Sequence, residues 1–379
     1  MNGVTFGASG QPGVSGGDVI LIEIAKRWLQ KGVDVHFMTS SAGKELCERL
    51  GLEATYHLSS GNSVSSLSNY ISLALKPKAK GLNKTRFDLV YSSCEHLYDV
   101  LPALKLKKLK TKWVAMVHFV SPPPRARAKA GWVNAFLYYL NHSLGAYIIR
   151  FAADLVFAVS QRTASDYVSK LNFDEKKVVS IPGGISYELI RSIAGSSKGH
   201  KYDAIFMKRL QPMKGAFDVI NIWRYVVDEF PNAKLLIIGD GPGDIVARMK
   251  DMIAKLELNE NIELKGPVYD MREKFSLLAN SNLFLLPSYE ENWAIVIGEA
   301  LAAGLPVIVY DLPEIRDIWK NNVLWIPKGD IVAFARKITG LLMNQPSFLP
   351  SVEDRIFFVK QFDWDAIAAN ELELCKKLL

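Results

Sequence analysis

Two glutamates eight residues apart are the most chemically suggestive side chains of this sequence. Glu299 is the only charge between Glu291 and Asp311, and it stands in the aliphatic run Ile295–Leu301. A carboxylate in such surroundings is costly unless it is hydrogen-bonded, and the hydroxyls of a ribose or a sugar would satisfy it. The alternatives are a salt bridge from Glu299 to a core-facing cation, and a helix N-terminal charge for Glu291.

Two cations follow a strand-like run in the segment from Phe206 to Gly215. Arg209 and Lys214 stand beyond the strand-like residues 203–207. Open α/β sheets bind ligands at the carboxyl ends of their strands, and a lysine at a helix start needs an anionic partner. The spacing therefore predicts an anion site here, with two solvated surface cations as the alternative.

A glycine turn near the beginning of the chain is a second candidate for anion binding. Gly16 and Gly17 run directly into an amphipathic segment that ends at Gly32. Backbone N–H groups at such a junction suit a phosphate, and a plain flexible turn is the alternative. The spacing is not G-x-G-x-x-G, so the dinucleotide fingerprint is not indicated.

The sequence contains no pattern typical of a metal site. Its six histidines are scattered, and its three cysteines show no C-x-x-C spacing. The only D-x-D, at Asp363 and Asp365, stands where a terminal helix is expected to begin, and aspartates favour that position. We therefore expect no metal and no disulfide.

The elements that must position these residues alternate along the chain, as in an α/β protein with parallel sheets. At 379 residues the chain exceeds what one core usually supports. We predict an N-terminal domain over 1–185, a connection at about 182–200, a C-terminal domain over 200–358, and a last helix, about 360–379, that packs back on the first domain. The predicted strands are 33–39, 89–92, 112–118, 155–159, 203–207, 234–238, 283–287 and 307–310.

The net charge of +7 is unevenly distributed and favours an anionic partner for the first half of the chain. Basic clusters at 105–112 and 125–129 precede an aromatic segment with Trp132, Phe136 and Tyr139. Such a combination suits an anionic membrane surface or a lipid-linked acceptor, and a packed helix with a solvated basic face is the alternative. Nucleic acid is not expected, because no reading motif accompanies the charge. Without a secretory leader or a spanning segment, we expect a cytoplasmic protein, peripheral on the inner membrane face if it meets the membrane.

Together these motifs resemble a retaining glycosyltransferase of family 4. The resemblance covers nearly the whole chain and depends on the order of its motifs: Gly16-Gly17, Ile181–Ile185, Arg209 with Lys214, Gly239–Pro242, Pro287-Ser288, and Glu291 with Glu299. It implies the GT-B fold, in which two Rossmann-like domains face each other across a cleft that holds the active site.

The resemblance also implies roles for individual residues. Arg209 and Lys214 would hold the donor diphosphate, Glu299 would bind the ribose hydroxyls, and Glu291 would bind hydroxyls of the transferred sugar. His118 matches the active-site histidine near that sugar, although a lone histidine at a strand end is equally a structural residue. Backbone N–H groups at the helix start after Glu291 would add contacts to the phosphates and the sugar of the donor. They belong to Asn292, Trp293, Ala294 and Ile295.

Two departures from the family pattern concern glycines. Asn292 and Ala294 stand where glycines commonly follow the first glutamate, and Gly183-Gly184 stands where Asn-Gly is common. The first departure predicts a reshaped pocket for the transferred sugar.

The function implied is sugar transfer from a nucleotide-diphosphate sugar to a hydroxyl, without a metal cofactor. A lipid or lipid-linked glycan is the expected acceptor, and a soluble sugar is the alternative. Other classes are a GT-B epimerase or phosphorylase and a two-domain sugar-binding protein; the last would be exported, which the missing leader disfavours.

Overall fold

The structure is a computed structural model that describes residues 16–58, 86–107, 110–125, 132–196, 199, 201–345 and 348–379. The described residues form two compact units. The first contains residues 16–183 and 365–379, and the second contains residues 184–364.

The first unit contains parallel strands separated by helices. Strands β3, β4, β5 and β6 form one sheet in that order, and β1 pairs with β2. The strands are β1 (His36–Thr39), β2 (Thr55–Leu58), β3 (Leu89–Ser92), β4 (Lys112–Val117), β5 (Leu155–Ala158) and β6 (Val178–Ser180). The helices are α1 (Gly16–Gln30), α2 (Ser41–Arg49), α3 (Leu97–Leu106), α4 (Trp132–Ala152) and α5 (Gln161–Leu171).

The last helix of the chain, α14 (Trp364–Leu378), belongs to the first unit from Asp365 onwards. Trp28 Nε1 on α1 donates a 3.1 Å hydrogen bond to the Ala368 carbonyl. Arg27 Nε lies 2.6 Å from Asp365 Oδ1. The D-x-D sequence thus contributes an interhelical ion pair.

The second unit is a six-stranded parallel sheet with helices between its strands. Its strands are β7 (Tyr202–Met207), β8 (Leu235–Ile238), β9 (Ile262–Gly266), β10 (Ser281–Leu286), β11 (Val307–Tyr310) and β12 (Leu324–Ile326). Its helices are α6 (Tyr187–Ala194), α7 (Asp218–Glu229), α8 (Gly243–Lys255), α9 (Met271–Ala279), α10 (Ile295–Ala302), α11 (Pro313–Trp319), α12 (Ile331–Leu342) and α13 (Val352–Lys360). Short 3₁₀ turns follow β7 and α11, at Pro212–Lys214 and Lys320–Asn322.

The strand order of this sheet creates a switch point between two central strands. The order is β12-β11-β10-β7-β8-β9, so the chain runs outwards from β7 in one direction and then returns to β10 to run the other way. In open parallel sheets, ligands usually bind at the carboxyl ends of the strands beside such a switch point, which here are β7 and β10.

The α/β prediction is confirmed, and every pairing between the described strands is parallel. The units divide at Gly183 and Gly184. Much of the stretch expected to connect them is instead α6, whose Ile190 is fully buried in the core of the second unit. Among the described helices, none is long and apolar enough to cross a membrane.

Candidate active site

Two lysines and one glutamate meet at the switch point of the second unit. Lys208 follows β7, Lys214 ends the 3₁₀ turn of the same loop, and Glu291 lies in the loop after β10. Lys208 Nζ is 2.9 Å from Glu291 Oε2, and Lys214 Nζ is 3.3 Å from Oε1. Ser288 Oγ also donates to Oε1 at 2.8 Å. Both carboxylate oxygens are therefore held in place.

Glycines allow the two loops to approach this closely. Gly215 has φ +80, and a Cβ there would lie 2.1 Å from the Pro287 carbonyl oxygen. At Gly239, after β8, a Cβ would lie 1.9 Å from the Lys208 carbonyl oxygen. Any larger residue would push the lysine-bearing loop away from its neighbours. The Gly239–Pro242 motif thus supports the position of Lys208.

The charges of this cluster depend on one another. Burial by itself would raise the pKa of Glu291, but the Lys208 and Lys214 ammonium groups outweigh burial and lower it. Burial lowers the pKa of Lys208, and the Glu291 carboxylate opposes that shift. Glu291 is therefore ionised, and its charge helps Lys208 remain a cation.

Arg209, the predicted partner of Lys214, is placed differently from the two lysines. Its side chain is exposed, and no carboxylate among the described residues pairs with it. It lies next to Lys208 in the chain, and its charge acts on that lysine. The cluster thus combines two lysines held by a glutamate with one solvent-facing guanidinium.

Glu299 lies in a second ion pair, on α10. Its Oε1 accepts from Lys274 Nζ, on α9, at 2.6 Å. The residue is 3% exposed, and its Oε2 has no hydrogen-bond partner among the described residues. The structure thus contains the core-facing cation considered as the alternative, and the second carboxylate oxygen of Glu299 is a buried acceptor without a partner among the described residues.

The loop between the two glutamates keeps a turn that normally favours glycine. Ala294 adopts φ 58 and ψ 64, in the left-handed region, immediately before α10 begins at Ile295. This conformation explains why glycines are common here, and the alanine preserves it despite its Cβ. Asn292 is half-buried beside Glu291.

The Trp293 side chain belongs to the hydrophobic core of the second unit. Its ring lies 5.1 Å from that of Trp319 and 4.8 Å from that of Phe362. Its carbonyl accepts a hydrogen bond from Trp319 Nε1 at 3.0 Å. Any contact of Trp293 with the nucleotide sugar would therefore come from its backbone, as the resemblance implies.

His118 follows β4 in the first unit. Its Nε2 lies 2.9 Å from the Ser93 carbonyl oxygen, which can only accept, so Nε2 carries the proton. Nδ1 of the neutral ring is then a hydrogen-bond acceptor, suited to a hydroxyl. The assignment of His118 to the transferred sugar stays a prediction.

A buried glutamate supports the backbone at His118. Glu95 Oε1 accepts from the backbone N–H of His118 at 3.2 Å and of Phe119 at 3.3 Å. His142 Nε2 lies 2.9 Å from the same oxygen. Burial would raise the pKa of Glu95, but the neighbouring histidines, His142 foremost, hold it well below its ordinary value.

The glycine turn at Gly16 and Gly17 is only partly described. Both residues form the first turn of α1, and Asp18 behind them is buried. The residues that precede Gly16 lie outside the described part of the chain, so the predicted phosphate site there stays a prediction. The helix start supplies N–H groups of the kind that this prediction needs.

Lys208, Lys274 and Glu95 were not singled out from the sequence. The sequence did contain an indication for Lys208, because this lysine stands between a strand-like run and Arg209. Lys274 and Glu95 had none, since their partners are distant in sequence. No group of three or more histidine, cysteine or acidic residues that could hold a metal occurs in the described part of the chain.

Two family models together match about nine tenths of the sequence. The model Glycosyltransferase Family 4 matches residues 14–189, and Glycosyl transferases group 1 matches residues 191–355. The boundary between them falls six residues after the division between the two compact units.

Curated relatives are remote and often longer than the matched region. The phosphatidyl-myo-inositol mannosyltransferase of Mycobacterium leprae is 27% identical, with 51% of each chain covered. The N-acetyl-alpha-D-glucosaminyl L-malate synthase of Bacillus anthracis is 25% identical over 90% of this chain and 88% of that protein. Of the three relatives matched first, the chain spans about half of the length or less.

A solved structure shows the fold. HepE from Anabaena, crystallised with UDP-glucose, is 18% identical and superposes with a TM-score of 0.72 over 97% of this chain and 98% of its own. The predicted GT-B fold class is thereby confirmed. From its two matching family models and this fold, we conclude that the chain belongs to the family 4, group 1 glycosyltransferases.

Proposed function

We propose that the protein is a retaining hexosyltransferase that uses a nucleotide-diphosphate sugar. The observation that carries this proposal is the cluster of Lys208, Lys214 and Glu291 at the switch point of the second unit. Cations at the carboxyl end of a parallel sheet are placed where a diphosphate binds. HepE, which shares the fold, was crystallised with UDP-glucose.

The charges of the cluster match a diphosphate. Three cations, Lys208, Arg209 and Lys214, stand against the single carboxylate of Glu291, which leaves a net positive charge of two. A bound diphosphate would neutralise this excess. When the sugar leaves, negative charge grows on the diphosphate, and preorganised cations stabilise that charge most. The cluster therefore supplies what a divalent metal would otherwise supply.

In the reaction we propose, the bond from the sugar C1 to the diphosphate oxygen breaks. A bond from C1 to the acceptor oxygen forms on the same face, and the acceptor proton passes to the departing diphosphate. Atoms and charges balance without a further reactant. The contribution of the protein is then to orient the donor and to stabilise charge.

The acceptor we propose is a lipid or a lipid-linked glycan. The M. leprae relative is named for an inositol lipid, which supports a lipid acceptor. The B. anthracis relative is named for malate and supports the alternative of a soluble acceptor. The exposed apolar residues of helix α4 in the first unit, such as Leu140 and Leu144, support a lipid acceptor.

A panel of UDP-, GDP- and ADP-sugars tests the proposal. One nucleotide sugar should raise the thermal unfolding midpoint, since a ligand that binds the folded state stabilises it by mass action. The same sugar should be transferred to an acceptor with its anomeric configuration unchanged, as read by NMR of the product. Inversion of the configuration, or no stabilisation by any nucleotide sugar, would contradict the proposal.

A further inference from the structure

Helix α4 presents a continuous apolar face to solvent. Its outward residues are spaced alternately four and three apart, which places them on one face of a helix. They are Val133, Leu137, Leu140, Leu144, Tyr147 and Phe151, each between 41% and 67% exposed. We call this row the α4 stripe. Scattered apolar residues are ordinary on a surface, but a row along a 21-residue helix marks an interaction site.

The stripe is not a core face that has turned outwards. The opposite face of α4 is buried, with Ala135, His142, Ala146 and Ile149 each at most 4% exposed. Gly145 lies so close to the chain at Glu95 that a Cβ would stand 1.8 Å from its carbonyl oxygen. The helix therefore cannot rotate to hide the stripe without losing this close packing.

The chain around α4 is strongly basic. Between Asp99 and Asp154 there is no acidic residue, and nine lysines and arginines stand in this interval. Arg150, on α4 itself, lies over the Phe151 ring at 5.0 Å from its centroid. It also lines a cavity of about 300 Å³ together with Tyr147 and Lys170. Cations thus border the end of the α4 stripe.

We propose that α4 lies on an anionic membrane surface, with the stripe inserted at the boundary between headgroups and acyl chains. Apolar residues would supply binding that resists salt, and each nearby cation would add about 1 kcal/mol of attraction to anionic lipid. A second copy of the chain fits the stripe less well, because it would bring two basic segments together without acidic partners. Binding of α4 to a membrane is independent of the proposed function. The use of that binding, to reach a lipid acceptor, rests on the proposed function.

Flotation with vesicles tests the proposal. The full chain is mixed with vesicles of phosphatidylcholine, or of phosphatidylcholine with phosphatidylglycerol, at low and at high salt. We expect binding to the anionic vesicles that weakens with salt but persists in part, because salt screens the charges and leaves the inserted side chains unaffected. Absence of the protein from the floated fraction under all four conditions would overturn the proposal.

A pair of variants separates insertion from unfolding. Leu140→Glu with Leu144→Glu should weaken binding to anionic vesicles at least tenfold, because two inserted leucines are replaced by charges. Tyr225→Glu, at a residue of α7 that is 48% exposed, is the matched control and should bind as the native chain does. Both variants should keep the native circular dichroism spectrum and thermal midpoint. Equal binding by the double variant and the control would contradict a role for the stripe.

Two further measurements distinguish the remaining outcomes. Light scattering reports the oligomeric state, and a native dimer that the double variant converts to monomer would show that a second copy covers the stripe, which overturns the proposal. Hydrolysis of the nucleotide sugar without lipid tests the proposed function alone. The double variant should hydrolyse the nucleotide sugar at the native rate although it no longer binds the membrane. Either proposal can therefore fail without the other.

Discussion

Lys208 Nζ lies 2.9 Å from Glu291 Oε2, although 83 residues separate the two in the chain. The pair joins the loop after β7 to the loop after β10, at the point where the order of the sheet reverses. Its lysine side chain is 16% exposed and its glutamate side chain 5% exposed. Breaking such a pair leaves an uncompensated charge, so each partner constrains the other.

The first prediction concerns the three cations. Replacing Lys208, Arg209 or Lys214 by alanine should each lower kcat by about 10² to 10³, the effect of removing one preorganised donor to developing negative charge. Steady-state kinetics with the donor found in the nucleotide-sugar panel measures this. Lys234→Ala, on the loop before β8, is the control and should retain native turnover. Native turnover in all three alanine variants would show that the cluster has no role in the reaction.

The second prediction uses pH to test the coupling of Glu291 to Lys208. Burial lowers the pKa of Lys208, and the Glu291 carboxylate raises it again. In Glu291→Gln that support is lost, so Lys208 should lose its proton at a lower pH and donor binding should weaken earlier as pH rises. The dissociation constant of the nucleotide diphosphate, measured across neutral to alkaline pH, should show this shift. Glu290→Gln, at the exposed neighbour, should behave as the native chain, and coincident profiles for both variants would contradict the coupling.

The third prediction separates the two glutamates. Glu299→Gln should weaken binding of the nucleotide diphosphate, because a ribose hydroxyl would lose a charged acceptor, at a cost of about 1.5 to 3 kcal/mol. At neutral pH, Glu291→Gln should bind the diphosphate at least as well as the native chain, since it removes a negative charge, and should transfer sugar poorly. Calorimetry with the diphosphate alone compares them. Lys274→Met removes the ion pair but keeps the Glu299 carboxylate, so it is the control for loss of the ion pair alone. Equal losses of diphosphate binding in both glutamate variants would contradict the separate roles.

The sequence predicts the central strands well and most of the edge strands poorly. The predicted bounds 307–310 are those of the central strand β11, because parallel strands buried on both faces appear as continuous apolar runs. The predicted bounds 89–92 are those of β3, although β3 is at the edge of its sheet. Strands β6, β9 and β12, at the edges of their sheets, were not predicted. In β9, burial alternates with exposure, and β6 is only half-buried, so neither shows an apolar run.

The sequence likewise predicts only part of the candidate site, because tertiary packing decides the rest. That Lys214 and Glu291 approach each other could be expected from their positions after two parallel strands. Which of Lys208 and Arg209 pairs with Glu291 could not be predicted, because consecutive residues point in different directions and the strand register decides between them. The partner of Glu299 depends on where α9 and α10 lie in the second unit, which no local pattern encodes.

The fourth prediction is that transfer needs no divalent metal. The excess positive charge of Lys208, Arg209 and Lys214 over Glu291 can balance the diphosphate by itself. Activity measured in EDTA should therefore stay close to that without chelator, for the native chain and for the Lys234→Ala control. Full loss in EDTA with recovery on adding magnesium or manganese would contradict the prediction.

The last prediction concerns Glu371, on α14. The residue is fully buried, and neither carboxylate oxygen has a hydrogen-bond partner among the described residues. Burial raises its pKa from 4.5 to about 8, so the folded chain holds the proton that the unfolded chain releases. The stability tied to this proton is fully present below about pH 4.5 and is lost as pH rises through about 8. Over that interval the loss is on the order of 5 kcal/mol, at about 1.4 kcal/mol for each pH unit.

Glu371→Gln removes this dependence and keeps the shape of the side chain. Hydrogen exchange of residues 364–378, followed from pH 5 to pH 9 and corrected for intrinsic exchange, should show protection in the native chain falling towards alkaline pH. In the variant, protection of the same amides should change little with pH. Glu373→Gln, two residues away on the exposed side of the helix, is the matched control and should follow the native chain. If the profiles of the native chain and of the Glu371→Gln variant run parallel, the carboxyl group does not control how α14 is held on the first unit.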